Sequence, residues 1–439
     1  MSLGERVRTI TKLAVPICVA LGSTLMMSIV DLAMVGRLGT VVVAAVGICV
    51  FSNTLVLAIV KGIAPAVQGL VARRRGEGST EAECLPLNGG LVLALLVGAP
   101  VTLLAYLATP ALFASVSSDP EVTRVGVPFL QTLYLAIVGV GMNNAFQGHW
   151  AGRERPKVFM AIVIGMNCVN VVLNYALIFG KLGAPALGAT GAALATVISI
   201  YVGVLANVVI NRLHFSDAFQ ARPDLALMAS IFKLGVFSTI QEFFFSLGFV
   251  VLFWMIGQVG TAELAAANVL VRTTMVLTLP ALALGMASAT LVSKAIGEGG
   301  HAAASRWGWD SGKLGVAAIS LLGLPIVLFP RPFLGIFLAD AHTLSIAVSP
   351  LRVVAATAGL FSLIYIFAYT LYSVGDGKRV MKISFVTQWF FFLPAVWVVG
   401  PFLRYGLLEI WLVNVAYGAL ATSLITSVWA DGKWKQIEI

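Results

Sequence analysis

Apolar residues along this chain fall into long blocks, separated by short stretches rich in charged residues, glycine and proline. An apolar block of about 18 residues or more is typical of a helix that crosses a lipid bilayer. The pattern predicts transmembrane helices at residues 10–35, 41–72, 86–115, 123–150, 158–180, 189–211, 229–257, 262–294, 308–338, 344–374, 380–402 and 405–429. We therefore expect an all-α integral membrane protein with twelve transmembrane helices.

Composition supports a membrane protein. The 439 residues are 59% hydrophobic and only 11% charged, whereas soluble domains carry about 25% charged residues. A lipid-facing surface needs no charge to remain in its solvent, which explains the deficit. The four cysteines show no CxxC or CxxH spacing and are interpreted as small apolar residues in packed helices.

The basic residues indicate an orientation. Most of the 28 lysines and arginines fall in alternate loops, on the side of the membrane that holds the N-terminus. This bias predicts that both termini are cytoplasmic, in a multi-pass protein of the inner (plasma) membrane. The net charge of +9 is therefore a topology signal, and no nucleic-acid partner is expected.

The two halves of the chain resemble each other. Residues 35–78 align without gaps with 256–299, and Gly-Glu-Gly at 76–78 recurs at 297–299. Six helices per half place both halves in the same orientation, which predicts two six-helix bundles related by a pseudo-two-fold axis along the membrane normal. The expected domains are an N-terminal lobe at 1–211, a cytoplasmic linker at 212–228 and a C-terminal lobe at 229–439, with alternating access at a central cleft.

Two acidic residues, Asp31 and Glu242, lie well inside apolar segments. A carboxylate near the bilayer centre costs about 2.5–3.5 kcal/mol on insertion scales, so it must face protein or water. Such a carboxyl group can exchange a proton for a cation, because only its charged form attracts the cation. The structural alternatives are a helix-end acid wetted from outside for Asp31, and a packing hydrogen bond with Gln241 for Glu242.

The fifth predicted helix carries Asn167, Asn170 and Asn174, spaced three and four residues apart and hence on one face. Their amides can hydrogen-bond a carboxyl group or bind a cation through their carbonyl oxygens. Hydrogen bonding between helices is an equally good interpretation of each.

Enzymatic motifs are missing from the sequence. It contains no GxxxxGK[ST] loop, no HExxH and no GxSxG, so neither ATP hydrolysis nor a metal or serine hydrolase is indicated. We expect a transporter that is not an enzyme and uses no cofactor or metal. An ion gradient, of protons or of sodium, then supplies the energy.

The sequence resembles the multidrug and toxic compound extrusion (MATE) transporters, most closely their DNA-damage-inducible (DinF-like) branch. The similarity covers nearly the whole chain. It is carried by the order and spacing of residues 30–39 (VDLAMVGRLG), 152–156 (GRERP), 170–174 (NVVLN) and 187–192 (LGATGA). The resemblance implies a two-lobed antiporter that expels amphipathic organic cations in exchange for protons or sodium, and we expect it to work as a monomer.

The resemblance also implies roles for individual residues. Asp31 matches the first-helix carboxylate of the family that binds the coupling ion, and Asn170 matches a fifth-helix asparagine. Several relatives have aspartate where this chain has Asn174. The sodium-driven branch has a seventh-helix glutamate at the position of Phe245, three residues after Glu242.

That branch also has a tenth-helix aspartate, for which this chain has no counterpart. The missing carboxylates favour protons over sodium as the coupling ion. A flippase for lipid-linked saccharides, from the same wider superfamily, is the alternative function. It would need a cationic cavity, for which Lys61 and Arg272 are the candidates.

Overall fold

The computed structural model describes residues 1–79, 81–214, 219, 223–338 and 340–437, and all regular elements in these ranges are helical. Helices α1 to α15 are, in chain order, Leu3–Gly36, Thr40–Lys61, Ile63–Gly76, Leu85–Val116, Pro120–Tyr134, Ile137–Gly152, Pro156–Phe179, Gly188–His214, Leu225–Val259, Thr261–Gly297, His301–Leu328, Pro330–Gly335, Ala341–Ser373, Gly377–Phe402 and Leu407–Ala430. Short 3₁₀ turns occur at Glu81–Cys84 and Lys433–Gln436.

These helices confirm the predicted membrane fold. Eleven stretches of helix are long and apolar enough to cross a bilayer, and the α5–α6 pair, bent by 41°, raises the number to twelve. These counts hold for the part of the chain that the structure describes. In a bilayer each helix satisfies its own backbone hydrogen bonds, so hydropathy along the chain suffices to locate the spans.

The prediction of one continuous helix at 308–338 is wrong. Helix α11 ends at Leu328. The backbone of Phe329 lies outside the helical range (φ −123°, ψ 56°), and α12 begins at Pro330. A proline ring clashes with the backbone of the residue before it when that residue is helical, so Pro330 ends α11. The chain then makes a single short turn of helix before α13.

Helix α14 contains two π-helical segments, Thr387–Phe392 and Val398–Phe402. Pro394 follows the first segment and Pro401 lies within the second. A proline has no N–H to donate to the preceding turn, so regular α-helical hydrogen bonding is interrupted near it. A π turn is uncommon and often lies at a functional site, because it changes the direction of neighbouring side chains.

The helices pack into two compact units. The amino-terminal unit is Val19–Thr239, and the carboxy-terminal unit is Met1–Cys18 together with Ile240–Ile439. Helix α1 therefore contributes residues 3–18 to one unit and 19–36 to the other, and α9 is divided in the same way after Thr239. Of the predicted linker 212–228, residues 215–218 and 220–222 lie outside the described residues. The lobe boundaries at 211 and 229 stay predictions.

Glycines allow close helix packing in the amino-terminal unit. A Cβ atom on Gly148 of α6 would lie 2.4 Å from the backbone oxygen of Ala64 on α3, and one on Gly152 would lie 2.9 Å from that of Gln68. Small residues at such crossings let backbones approach, which is the main source of helix association in lipid. The close contact between α3 and α6 thus depends on glycine, which has no side chain, at positions 148 and 152.

Replacing Gly148 with alanine should destabilise the amino-terminal unit. The added methyl group meets backbone rather than a flexible side chain, so the helices must separate, at a cost of about 1–3 kcal/mol. A thermal unfolding curve in detergent should show a lower midpoint. Gly165→Ala is the matched control, because nothing lies within 4 Å of its added Cβ. Equal midpoints for the two variants would contradict this account.

The carboxy-terminal unit is closed at one end by aromatic and charged contacts. The fully buried ring of Trp434 stacks on Trp429 with ring centroids 4.2 Å apart, and Trp429 stacks on Phe367 at 5.2 Å. Arg6, near the start of α1, pairs with Asp310 of α11 at 2.5 Å. These contacts fix both chain termini to this unit.

Candidate functional site

The structure brings together three of the predicted site residues, Asp31, Asn170 and Asn174. Nδ2 of Asn174 donates to Oδ1 of Asp31 at 2.5 Å and to Oδ1 of Asn170 at 2.9 Å. Asp31 is half-buried, whereas Asn174 is completely buried and Asn170 is 3% exposed. Since the two asparagines lie four residues apart on α7, their side chains occupy adjacent turns facing α1.

A third helix completes this cluster. Nδ2 of Asn170 donates to Oγ of Ser199 at 3.2 Å and to Oγ1 of Thr196 at 3.4 Å, both on α8. The Asn170 amide also fits when turned over: Nδ2 then donates to Oδ1 of Asp31 at 3.1 Å, and Oδ1 accepts from Ser199. The carboxylate therefore faces N–H donors in both orientations.

Asn167 shares the α7 stripe but has a different partner. Its Nδ2 donates to Oγ of Ser23 on α1 at 2.7 Å, two turns before Asp31. This hydrogen bond joins α7 to α1 and is not to the carboxylate. Asn170 and Asn174 thus line the carboxyl group, Asn167 is hydrogen-bonded to Ser23, and the roles of all three in ion coupling stay predictions.

The other predicted site residues, Gln241 and Glu242, lie on α9 in the carboxy-terminal unit. Glu242 is within electrostatic range of Tyr365 and Tyr372 on α13. The roles of Gln241 and Glu242 at the site stay predictions, and so does the structural alternative of a packing hydrogen bond from Glu242 to a neighbour such as Gln241.

Aromatic rings surround the next turn of α9. The ring of Phe244 lies 4.8 Å from that of Phe385 and 5.9 Å from that of Trp389, both on α14. Gln388, in the first π segment, donates to the backbone oxygen of Phe245 at 3.2 Å. The first π segment of α14 and this part of α9 therefore hold a cluster of aromatic rings together.

The chemistry available at Asp31 follows from its neighbours. Among the described residues, the hydrogen-bond donors recorded at its carboxylate are amide groups, and no cluster of three or more histidine, cysteine or acidic side chains fits a metal ion. A carboxylate supplied with N–H donors can hold its charge and can also accept a proton. It can therefore alternate between two charge states within the membrane.

Sequence reasoning missed Ser23, Thr196 and Ser199. The α8 residues carried a signal, since polar side chains recur at helical spacing through an apolar segment from Thr196 to Asn211. Ser23 carried none, because an isolated serine in a membrane helix commonly bonds its own backbone.

Twelve apolar spans in the described part of the chain, counting the bent α5–α6 pair as one, define a multi-pass membrane protein, and Asp31 is a half-buried carboxyl group within the first span. The MatE family model matches the chain twice, at residues 16–176 and 238–398. The chain belongs to the MatE family, whose members are transporters and not enzymes. The two matches, one in each half, also confirm the internal repeat inferred from the sequence.

Relatives share most of the chain's length. The "Multidrug resistance protein NorM" of Burkholderia vietnamiensis is 30% identical over 81% of this chain and 78% of its own. The "Probable multidrug resistance protein NorM" of Thermotoga maritima is 26% identical, covering 83% and 80% respectively. Assignment to the DNA-damage-inducible branch stays a prediction.

A solved structure shares the fold. It is described as the outward-facing conformation of a multidrug resistance MATE family transporter of the MOP superfamily, and it superposes with a TM-score of 0.88. It covers 98% of this chain and 97% of that one at 19% identity. This likeness confirms the fold class, with two six-helix bundles.

Proposed function

We propose that this protein is a multidrug exporter of the bacterial plasma membrane that exchanges amphipathic organic cations for protons by alternating access. The observation that carries the proposal is the half-buried Asp31 carboxylate with Asn174 donating to it at 2.5 Å. The relatives described as multidrug resistance proteins support an exporter. They give no support to the flippase alternative.

The donors at Asp31 favour protons over sodium. A sodium ion, like other hard cations, needs several oxygen ligands, whereas amide N–H groups face this carboxylate. In both orientations of Asn170, N–H groups occupy positions where a bound cation would need oxygen atoms. A proton needs only the carboxylate oxygen itself.

The proposed cycle follows from the charge on Asp31. The carboxylate form, stabilised by Asn174, attracts an organic cation by direct electrostatic interaction. A proton arriving from outside forms an O–H bond on the carboxyl group, removes its charge and releases the cation. Loss of that proton to the cytoplasm restores the carboxylate, and the next cation binds.

The aromatic cluster of α9 and α14, within the carboxy-terminal unit, has the chemistry to bind an organic cation. Aromatic faces attract organic cations, and more strongly where water is excluded. The rings of Phe244, Phe385 and Trp389 lie together, and a carboxylate on the same helix adds negative charge. We assign these residues to substrate binding, and Asp31 with its asparagines to ion coupling.

A gradient experiment tests the proposed coupling ion. In proteoliposomes, an acidic lumen should drive uptake of a fluorescent organic cation, because protons leave as the cation enters. A sodium-loaded lumen at equal pH inside and outside should drive no uptake above that of empty liposomes. Uptake driven by sodium and not by pH would overturn proton coupling. Transport of anionic lipid-linked sugars alone would overturn the exporter.

A further inference from the structure

Helix α8 is polar on its buried face and apolar on its exposed face. The buried face carries Ser199 (3% exposed), Gly203, Asn207 and Asn211, the two asparagines having no exposed surface. The opposite face exposes Val202, Leu205, Val209 and Leu213. Polar residues in a membrane helix turn away from lipid, so this stripe runs inside the amino-terminal unit.

The stripe begins at the coupling site. Asn170, which is hydrogen-bonded to Asn174, donates to Ser199 at 3.2 Å. At the next residue, the backbone oxygen of Ile200 accepts from Nδ2 of Asn143 on α6 at 3.1 Å. Two groups of hydrogen bonds, one reaching Asp31 and the other reaching α6, thus meet at adjacent residues of α8.

The second group continues toward the end of α8. Oδ1 of Asn143 accepts from Nδ2 of Asn207 at 3.1 Å, and Oδ1 of Asn207 accepts from Nε1 of Trp150 at 2.9 Å. From Thr196 to Asn211 the stripe rises about 22 Å, at 1.5 Å per residue. That is most of the hydrocarbon thickness of about 30 Å.

Asn211 distinguishes this stripe from hydrogen bonding between helices alone. It lies one turn beyond Asn207, and both its Nδ2 and its Oδ1 are buried without a hydrogen-bond partner among the described residues. A buried amide without a protein partner is strongly unfavourable, and such sites bind internal water. At Gly203 the stripe is closely packed, because an added Cβ would lie 2.8 Å from Sδ of Met166 on α7, so the unpartnered amide is the one at Asn211.

Two histidines lie beside the end of the stripe that holds Asn211, with Arg212 next to Asn211 on α8 and Arg153 close to His149. The rings of His149 on α6 and His214 at the end of α8 lie 5.3 Å and 6.2 Å from the Trp150 ring. His214 is exposed. With an even number of predicted spans before it, this end of α8 lies on the same side of the membrane as the N-terminus, which is the cytoplasm in the proposed topology.

We propose that the buried face of α8 is a hydrated path by which the Asp31 proton leaves for the cytoplasm, separate from the route of the organic cation. This inference rests on the proposed proton coupling at Asp31. The O–H bond of the Asp31 carboxyl group breaks, the proton passes along hydrogen-bonded water and leaves on water at the end of α8. Asp31 remains as a carboxylate. Asn211 binds water in the path, and Asn207, bonded to Trp150, lies between Asn211 and the coupling site.

Asn211→Leu tests the path. Leucine matches the amide in size and removes two polar groups that have no partner among the described residues, so folding should be preserved or improved. In proteoliposomes carrying a trapped pH dye, proton-driven uptake of a fluorescent cation and the matching proton efflux should both fall about tenfold or more, the factor that corresponds to loss of one hydrogen bond to water in the path. Exchange of labelled for unlabelled cation without a pH gradient should keep its rate, because it needs no net proton movement.

Two further variants are the controls for this test. Asn211→Ser, which still binds water, should restore proton-driven uptake, and Asn268→Leu, on the exposed face of α10, should behave as wild type. Unchanged proton-driven uptake in Asn211→Leu, or an equal loss of exchange and proton-driven uptake, would overturn the path. Failure of the proposed function differs from both, since wild-type protein would then show no uptake driven by pH.

Discussion

Asp31→Asn should reduce proton-driven uptake of organic cations to the rate of empty liposomes. An asparagine amide neither gains nor loses a proton in the accessible pH range, so the step that exchanges cation for proton is removed. The substitution also removes the charge that attracts the cation. The measurement is uptake of a fluorescent cation into proteoliposomes with an acidic lumen, at equal amounts of reconstituted protein.

The variant itself should fold and insert normally. A neutral amide is cheaper to bury in a bilayer than a carboxylate, so Asp31→Asn relieves a cost rather than adding one. Asp119→Asn is the matched control, because Asp119 caps α5 through the backbone N–H of Glu121 and asparagine caps equally well. Full proton-driven transport by Asp31→Asn would remove Asp31 from the mechanism.

Asn174→Leu should keep transport proton-driven but move its pH profile to higher pH by roughly 1 to 2 units. Asn174 donates to the Asp31 carboxylate at 2.5 Å and so stabilises its charged form. A hydrogen bond to a charged group contributes about 1.5–3 kcal/mol, and 1.36 kcal/mol corresponds to one pH unit. Without this donor, Asp31 holds its proton up to higher pH, so cation binding begins only at higher pH.

Asn167→Leu is the control for that shift. It makes the same substitution two turns earlier on α7 and removes the hydrogen bond to Ser23, but it leaves the donors at Asp31 in place. The pH profile of uptake should therefore match that of wild type. A shift of equal size in both variants would show that helix packing, not the donor at Asp31, sets the profile.

The spans and the duplicated halves could be predicted from the sequence because the signals are local. Hydropathy locates a membrane helix without knowledge of its neighbours, and the predicted bounds at 158–180 and 189–211 differ from α7 and α8 by a few residues. The prediction was wrong at 308–338, because Phe329 precedes Pro330 and a helical conformation is unfavourable before proline. It also did not predict the π turns in α14, although Pro394 and Pro401 interrupt α-helical hydrogen bonding beside them.

The sequence predicted which residues belong to the candidate site, but not which of them are hydrogen-bonded to each other. Asp31, Asn170 and Asn174 were chosen because polar groups are costly in lipid, and that argument holds for any buried polar residue. It could not distinguish Asn174, which donates to Asp31, from Asn167, which donates to Ser23. Asn167 and Asn174 lie in the same stripe of α7, and only the packing of α1 against α7 gives them different partners.

The sequence by itself therefore determined the number of spans, the repeat, the family and the few acids that lie within the membrane. Each of these depends on the free energy of moving a residue from water to lipid, which is a property of the residue and its neighbours in the chain. Tertiary structure alone decided that Asn174 meets Asp31 across 143 residues and that the polar face of α8 lies inside its unit. Hydrogen bonds between helices require particular atoms at about 3 Å, and only helix packing brings those atoms together.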